Sequence, residues 1–205
     1  MSRRQATREQ QRNEELLKLT HQLRTAGGES SALMLTGVEG NEGTTQVVAE
    51  LGRTFANENA GPIGVIDCNW RSPALHRQFG LELAGGLLDA FSEDALPKKS
   101  PSGFDRLSVV TAGVAPGGDL APSPAQLRHL PMLARRSFRL ALFDAPPVFR
   151  FHECALLAPL MDGVIVVVEA DRTPLEAIAR ARAELERIGA RIVGAVMNRS
   201  GRFAF

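Results

Sequence analysis

Tyrosine is absent from this 205-residue sequence, so no reaction of this chain can use a phenolic hydroxyl of its own. Cysteine is scarce, and Cys68 and Cys154 lie far apart without Cys-x-x-Cys or Cys/His spacing. A disulfide framework or a zinc site is therefore not expected. Charge of one sign is also lacking, because 24 Lys and Arg face 23 Asp and Glu. The resulting net charge of +1 gives no electrostatic reason to expect nucleic acid as a partner.

A long hydrophobic run is missing as well, since no segment approaches the ~20 apolar residues that cross a bilayer. We therefore expect a cytoplasmic chain. Its 44% hydrophobic content is typical of a well-filled domain. Residues 1–28 are more polar and carry Leu16, Leu19 and Leu23 at helical spacing. They predict an N-terminal helical arm whose leucine face we assign to an interface rather than to the core, and residues 29–205 form the domain.

Apolar segments of strand length alternate with amphipathic segments along residues 29–205. Strands are predicted at residues 31–36, 63–67, 107–111, 140–144, 163–168 and 191–197. Helices are predicted from Thr44 onward, at 153–160 and at 175–188, whereas residues 69–137 indicate mainly short helices. This alternation predicts an α/β fold with a mostly parallel sheet and helices on both faces.

The segment between the first strand and the first helix, residues 37–45, reads GVEGNEGTT and has the form of a phosphate-binding loop. In such loops backbone N–H groups surround the phosphates, a lysine reaches the outer ones, and a Ser or Thr hydroxyl holds Mg²⁺. Here Thr44 takes the place of the lysine. The candidate nucleotide-binding residues are Gly40, Asn41, Glu42, Gly43, Thr44 and Thr45.

Two carboxylates, Asp67 and Asp144, directly follow predicted strands. Ligands of such sheets bind at the carboxyl ends of the strands, and Mg²⁺ prefers oxygen ligands. Both residues are therefore candidates for a metal or catalytic role. Capping of a following helix is the alternative interpretation, and the sequence leaves it open.

Six segments between residues 33 and 199 resemble the bacterial tyrosine kinases that work with polysaccharide co-polymerases, relatives of the MinD/ParA-type P-loop ATPases. Members of that family typically read T-S-x-x-P-G-E-G-K-[ST]-T where residues 36–46 read TGVEGNEGTTQ, and I-D-x-D-x-R-x-P-x-L-H where residues 66–76 read IDCNWRSPALH. Further matches are FGL with GLLD at 79–89, SPAQL at 123–127, FDAPP at 143–147, and DGV at 162–164 with GAVMNR at 194–199.

The resemblance implies a P-loop NTPase-like fold in which Thr45 holds Mg²⁺, Asp67 is a metal or base carboxylate, and Asp144 is the Walker B residue. It also implies that Asn198 touches the adenine base. The sequence departs from the family pattern at three positions: Thr44 replaces the lysine, Asn69 the second carboxylate of D-x-D, and Glu153 an aspartate. Losing a charge-assisted hydrogen bond costs roughly 1.5–3 kcal/mol. We therefore expect ATP or ADP with Mg²⁺ to bind weakly or not at all.

The resemblance further implies a cytoplasmic regulatory partner, a pseudokinase, that binds the cytoplasmic segment of an inner-membrane (Wzz-like) polysaccharide co-polymerase and forms oligomers. The alternative is an active ATPase or protein kinase in which Arg71, or Lys18 of a neighbouring arm, supplies the missing charge. A partitioning ATPase of the MinD/ParA type is a third hypothesis, less favoured because residues 69–73 and 123–124 are closer to the kinase pattern.

Overall fold

A seven-stranded sheet forms the centre of the protein in a computed structural model that describes residues 30–58, 61–83, 85–90, 96, 100–114 and 122–199. The predicted arm at 1–28, with Lys18, lies outside the described residues. In chain order the strands are β1 (Ser31–Gly37), β2 (Ile63–Asp67), β3 (Ser100–Pro101), β4 (Leu107–Val110), β5 (Leu140–Asp144), β6 (Gly163–Glu169) and β7 (Ile192–Asn198).

The strand order across the sheet is β3-β4-β2-β5-β1-β6-β7. All neighbouring strands run parallel except β3, which pairs with β4 in the antiparallel direction. β1 therefore lies between β5 and β6, near the middle of the sheet, where both of its faces are buried. This arrangement confirms the predicted α/β class with a mostly parallel sheet.

The helices of the described residues cover both faces of this sheet. They are α1 (Thr44–Asn57), α2 (Leu75–Gln78), α3 (Leu87–Ala90), α4 (Pro124–Ser137), α5 (His152–Leu157) and α6 (Leu175–Arg187), with a 3-10 turn at Ala158–Leu160. Residues of α1 pack with Leu33 and Leu35 on one face of the sheet. Residues of α4, α5 and α6 pack with Ala32 and Met34 on the other. Alternate side chains of β1 thus pack into two separate hydrophobic cores, one on each face of the sheet.

The sequence predicted the apolar strands to within one or two residues, but it missed helix α4. Only short helices were expected between residues 69 and 137, whereas α4 spans 14 residues. Its start is a capping box: the Gln126 N–H donates to the Ser123 hydroxyl, and the Ser123 N–H donates to the Gln126 side-chain oxygen. Pro131 within the helix hides the helical pattern. Among the described residues no helix is long and apolar enough to span a membrane.

Gly86 allows α3 to approach the end of β4 closely. The Leu87 and Leu88 N–H groups donate to the Thr111 and Ala112 carbonyls at 2.8 and 3.0 Å. A Cβ atom at Gly86 would clash with the backbone of Thr111 and Gly113, which cannot move aside as a flexible side chain could. The glycine is therefore required by contact with main chain.

We predict that Gly86→Ala lowers the free energy of unfolding by about 1–3 kcal/mol, because the segment must separate from β4. Gly194→Ala is the matched control, since a Cβ atom at Gly194 meets nothing within 4 Å and its backbone is strand-like. Urea unfolding of both variants measures the difference. Equal stability of the two variants would contradict the assignment.

Candidate nucleotide-binding site

A cavity of about 450 Å³ lies at the carboxyl ends of β1, β2 and β5. Its walls are formed by the loop after β1, by the segments after β2 and β5, and by the residue that follows β7. Its lining residues are Gly40, Asn41, Glu42, Gly43, Thr44, Thr45, Asn69, Ser72, Ala74, Asp144, Ala145, Pro147, Arg150, Phe151 and Arg199. The structure thus brings together all six candidate residues of the loop and one of the two candidate carboxylates.

The loop owes its shape to left-handed backbone conformations at Gly40 (φ 113°), Asn41 (φ 73°) and Gly43 (φ 82°). Glycine adopts such φ values without a steric penalty, and asparagine tolerates them. A Cβ atom at Gly43 would also clash with the side-chain amide of Asn198. Gly43 is the N-cap of the 14-residue helix α1, so the free N–H groups of the helix start face the cavity.

The Glu42 side chain folds back into the loop and is almost fully buried. Its carboxylate accepts hydrogen bonds from the Glu39 N–H at 2.8 Å and from the Gly40 N–H at 2.9 and 3.0 Å. These are backbone donors of the kind that hold phosphates in a phosphate-binding loop. In this conformation the loop therefore satisfies two of its own donors with an internal anion.

Asn198 holds the loop from the end of β7. Its side-chain N–H donates to the Glu42 carbonyl at 2.8 Å, and its side-chain oxygen accepts from the Arg199 N–H at 2.9 Å. Arg199 in turn donates to the Asn41 carbonyl at 2.8 Å. Asn198 is not among the cavity-lining residues, and its contact with adenine stays a prediction.

Thr45 and Asp144 provide oxygen atoms on one wall of the cavity. The Thr45 hydroxyl is hydrogen-bonded to the Asp144 carboxylate. The second carboxylate oxygen of Asp144 and the side-chain oxygen of Asn69 are buried without a hydrogen-bond partner. Buried polar atoms normally have a partner, so these two oxygens need one. They fit a hydrated Mg²⁺ ion, which prefers oxygen ligands and retains several waters.

The protein offers few charged ligands to such an ion. The described residues contain no group of three or more His, Cys, Asp or Glu side chains placed to hold a metal. Any Mg²⁺ here would take most of its ligands from water and from phosphate oxygens, as it does in kinase and ATPase sites. Thr45 and Asp144 are the residues positioned to hold it.

Asp67 is fully buried and does not line the cavity. One of its carboxylate oxygens accepts the Asn69 N–H at 3.0 Å, and the other accepts the Ala74 and Leu75 N–H groups at 3.2 and 3.1 Å. It thus binds the amides at the start of α2, which is the capping geometry that the sequence left as the alternative. A metal or base role for Asp67 stays a prediction.

The two aspartates are partners in the register of β2 and β5, so their backbones lie side by side. Burial raises the pKa of Asp67 to about 6, although three backbone N–H donors oppose the shift. Burial, together with the negative charge of Asp67, also raises the pKa of Asp144 well above its ordinary value. The loop has Thr44 where a lysine is expected, so no positive charge at that position compensates the aspartate pair.

The basic side chains in and beside this site are arginines. Arg71, predicted as a substitute for the lysine, instead pairs with buried Glu153: its Nε and Nη2 atoms both lie 3.0 Å from one carboxylate oxygen. Arg150 and Arg199 line the cavity, and sequence reasoning identified neither. Arg199 ends the GAVMNR motif at 194–199, which is a signal that could have found it, whereas Arg150 follows the FDAPP motif without belonging to it.

The chain is similar to curated proteins that are named as tyrosine-protein kinases and to one that is named as a polysaccharide transport protein. It is 27% identical over 175 residues to tyrosine-protein kinase YwqD of Bacillus subtilis, covering 82% of this chain and 71% of the relative. It is 24% identical over 185 residues to the succinoglycan biosynthesis transport protein ExoP of Rhizobium meliloti, covering 85% of this chain and 23% of that protein. The chain thus spans most of the shorter relative and about a quarter of the longer one. No protein-family model matches it.

Solved structures show the same fold. The kinase domain of the Escherichia coli tyrosine kinase ETK superposes with a TM-score of 0.78 at 22% identity, covering 93% of this chain and 77% of that domain. The septum site-determining protein MinD of Pyrococcus horikoshii, complexed with Mg-ADP, superposes with a TM-score of 0.69 at 18% identity. That match covers 85% of this chain and 74% of MinD.

The sheet order, the loop at the end of β1 and these superpositions define the class of protein: the chain has the MinD-like P-loop NTPase fold. Within that class, the chain is a relative of the bacterial tyrosine-protein kinases, and the resemblance inferred from its motifs is confirmed.

We predict that the buried aspartate pair makes stability fall as pH rises. The folded state holds these protons more tightly than the unfolded chain. The stabilisation from Asp67 is therefore complete below about pH 4 and is lost as pH rises through about 6. The pKa of Asp144 is raised by burial in the same direction, so its contribution is also lost as pH rises. The shift of the Asp67 pKa from 3.8 to about 6 corresponds to roughly 3 kcal/mol. Urea unfolding without Mg²⁺ between pH 4 and 8, for wild type and Asp144→Asn, measures it.

The stability of Asp144→Asn relative to wild type should increase with pH, because the variant removes one ionisable carboxylate and its repulsion of the other. Comparing the two proteins cancels the titration of the remaining acidic residues. A difference that stays constant from pH 4 to 8 would contradict the assigned pKa shifts.

We predict that Arg71→Ala lowers the free energy of unfolding by about 1–3 kcal/mol, because the buried Glu153 carboxylate loses its cation. Glu153→Gln in the same chain should recover part of this loss, since the remaining side chain is neutral. Chemical denaturation of the two single variants and the double variant measures the coupling. Strictly additive losses would show that the pair does not stabilise the fold.

Proposed function

We propose that this chain is a regulatory partner of a membrane polysaccharide co-polymerase and acts through binding and oligomerisation, with no kinase activity on tyrosines of its own. The observation that carries the proposal is Thr44 at the position of the loop lysine. Phosphoryl transfer depends almost wholly on positive charge positioned against the transferring group, so its loss affects turnover more than binding. The absence of tyrosine among the 205 residues supports the same conclusion.

The polysaccharide context rests on the relatives. ExoP is named as a succinoglycan biosynthesis transport protein, and this chain matches about a quarter of its length. YwqD, of which the chain covers most, is named as a tyrosine-protein kinase. We propose that the present chain works at the cytoplasmic face of the membrane by binding a cytoplasmic segment of its partner, and that it controls polymerisation or export of an exopolysaccharide.

The cavity supports a nucleotide as the regulatory ligand of this function. Support for this proposal comes from the loop, Thr45 and Asp144, which line one cavity, and from the hydrogen bond between the Thr45 hydroxyl and the Asp144 carboxylate. The same cavity is lined by the neutral Asn69 instead of a second carboxylate. We propose weak binding of ATP or ADP, with the nucleotide favouring one conformation of the chain rather than being consumed.

A second candidate function is an active ATPase or protein kinase of the same family. The observation in its favour is that two arginines, Arg150 and Arg199, line the cavity. Arginine side chains stabilise phosphoryl-transfer transition states in other enzymes when they reach the transferring phosphate. Steady phosphate release by purified protein, abolished by Asp144→Ala, would favour this candidate over the regulatory one.

We predict that Thr44→Lys binds ATP about ten- to a hundredfold more tightly than wild type, because it restores one charge-assisted contact to phosphate. Titration of labelled ATP and ADP in the presence of Mg²⁺ measures the affinities, and a phosphate-release assay on the same samples measures turnover. Thr44→Gln is the matched control, since it lengthens the side chain without adding charge. Tight binding with turnover in the wild type would contradict the proposed function.

A further inference from the structure

We propose that Arg150 takes over the task of the missing loop lysine and binds the phosphate chain of a nucleotide at this loop. The inference rests on the proposed function and deepens it, because it assigns the residue that retains a regulatory nucleotide. Arg150 lies 106 positions after Thr44 in the sequence, so only the fold brings it to the loop.

The backbone that carries Arg150 is attached directly to the phosphate-binding loop. The Thr36 hydroxyl donates to the Pro146 carbonyl at 2.7 Å. The N–H groups of Val148 and Phe149 donate to the carbonyls of Gly37 and Val38 at 3.0 and 3.3 Å. Residues 146–149 are therefore bonded to residues 36–38, where β1 ends and the loop begins. Residues 147–150 form a tight turn, in which the Arg150 N–H donates to the Pro147 carbonyl at 3.0 Å.

The Arg150 side chain lies against Gly40, at the bend of the loop. A Cβ atom at Gly40 would be 3.2 Å from Nη1 of Arg150 and 3.9 Å from its Cδ. The guanidinium group thus packs on the main chain beside the N–H donors that a phosphate would use, and Arg150 lines the cavity. Gly40, with a φ of 113°, leaves the room that this contact needs.

The charge of Arg150 is available to a ligand. Among the residues that the structure describes, its guanidinium group makes no ion pair and no hydrogen bond. The other arginines near the loop are engaged. Arg199 donates to Asn41 and lies 3.3 Å from Glu169, Arg71 pairs with Glu153, and Arg180 lies 3.9 Å from the carboxylate of Glu39. The sequence has lysine only at positions 18, 98 and 99, all outside the described residues.

The chemistry of the site favours a cationic side chain on a phosphate ligand. Asp144 and Glu42 place two carboxyl groups at the cavity, and a polyphosphate brings negative charge to it. A guanidinium group can donate two parallel hydrogen bonds to a phosphate and always keeps its charge. One such contact is worth about ten- to a hundredfold in affinity.

Arg150 restores charge without restoring the original position of that charge. A lysine at residue 44 would extend from the first turn of α1, whereas Arg150 extends from the exposed loop after β5. Phosphoryl transfer is sensitive to displacements of about 1 Å in the groups that contact the transferring phosphate, but ground-state affinity tolerates them better. Arg150 in place of a lysine at position 44 therefore supports nucleotide binding and leaves turnover low.

The test measures binding of labelled ADP and ATP with Mg²⁺ to the full chain, at protein concentrations that detect a Kd of about 1 mM. Arg150→Ala should weaken both nucleotides about ten- to a hundredfold, and Arg150→Lys should keep part of the affinity. Pyrophosphate should compete with labelled ADP in the wild type and compete less well in Arg150→Ala, which locates the contact on the phosphates. Thermal unfolding checks that each variant keeps its fold.

Arg136→Ala is the matched control, because Arg136 is an exposed arginine on α4 outside the cavity; its affinity for both nucleotides should equal that of wild type. Thr44→Lys added to Arg150→Ala should return the affinity to the wild-type level or above it. Equal affinity of Arg150→Ala and wild type would overturn the inference, as would a wild type that binds neither nucleotide.

The failures of the two proposals are distinguishable. Phosphate release by the wild type would refute the regulatory function while leaving Arg150 as a phosphate-binding residue if Arg150→Ala still loses affinity. Unchanged affinity in Arg150→Ala without phosphate release would refute the role of Arg150 and leave the regulatory function standing.

Discussion

The hydrogen-bonded ladder that joins β1, β5 and β2 determines where every group of the site lies. Its register pairs Leu35 with Asp144 and Asp67 with Asp144, so the loop after β1 and both aspartates reach one edge of the sheet. Both faces of these strands are packed under helices. A one-residue slip would turn each buried side chain to the opposite face, so the register, and with it the site, is fixed by the two cores.

Buried carboxyl groups concentrated at that edge are the consequence that the rest of the chain must accommodate. Backbone N–H groups at the start of α2 bind Asp67, and backbone N–H groups of the loop bind Glu42, so two of the carboxylates are stabilised by main-chain donors. Asp144 has only the Thr45 hydroxyl, and one of its oxygens remains unpartnered. The group that most needs a cation is therefore the one that faces the cavity.

The sequence predicted the strands other than β3 because each is a short apolar run, and β1, β2, β5 and β6 are also buried on both faces. It predicted the loop because glycine spacing reports the backbone directly. It missed α4, since Pro131 and polar positions interrupt the helical pattern. It proposed Arg71 as a substitute cation, but the buried carboxylate of Glu153, 82 residues away, pairs with Arg71 instead. Arg150 carries no local signal, because its position depends on hydrogen bonds between two loops.

Nucleotide binding and phosphoryl transfer make different demands on the positive charge beside the phosphates. This difference relates the replacement of the loop lysine by Thr44 to the position of Arg150. Affinity for a polyphosphate depends mainly on the number of charges within a few ångströms, and interactions at that range are strong in a partly buried site. Turnover also requires that a charge move with, or already match, the transferring phosphate. A chain that exchanges a lysine on a rigid helix for an arginine on a neighbouring loop can thus retain the first property while it gives up the second. Such a chain would respond to nucleotide without consuming it, which is what a regulatory subunit requires.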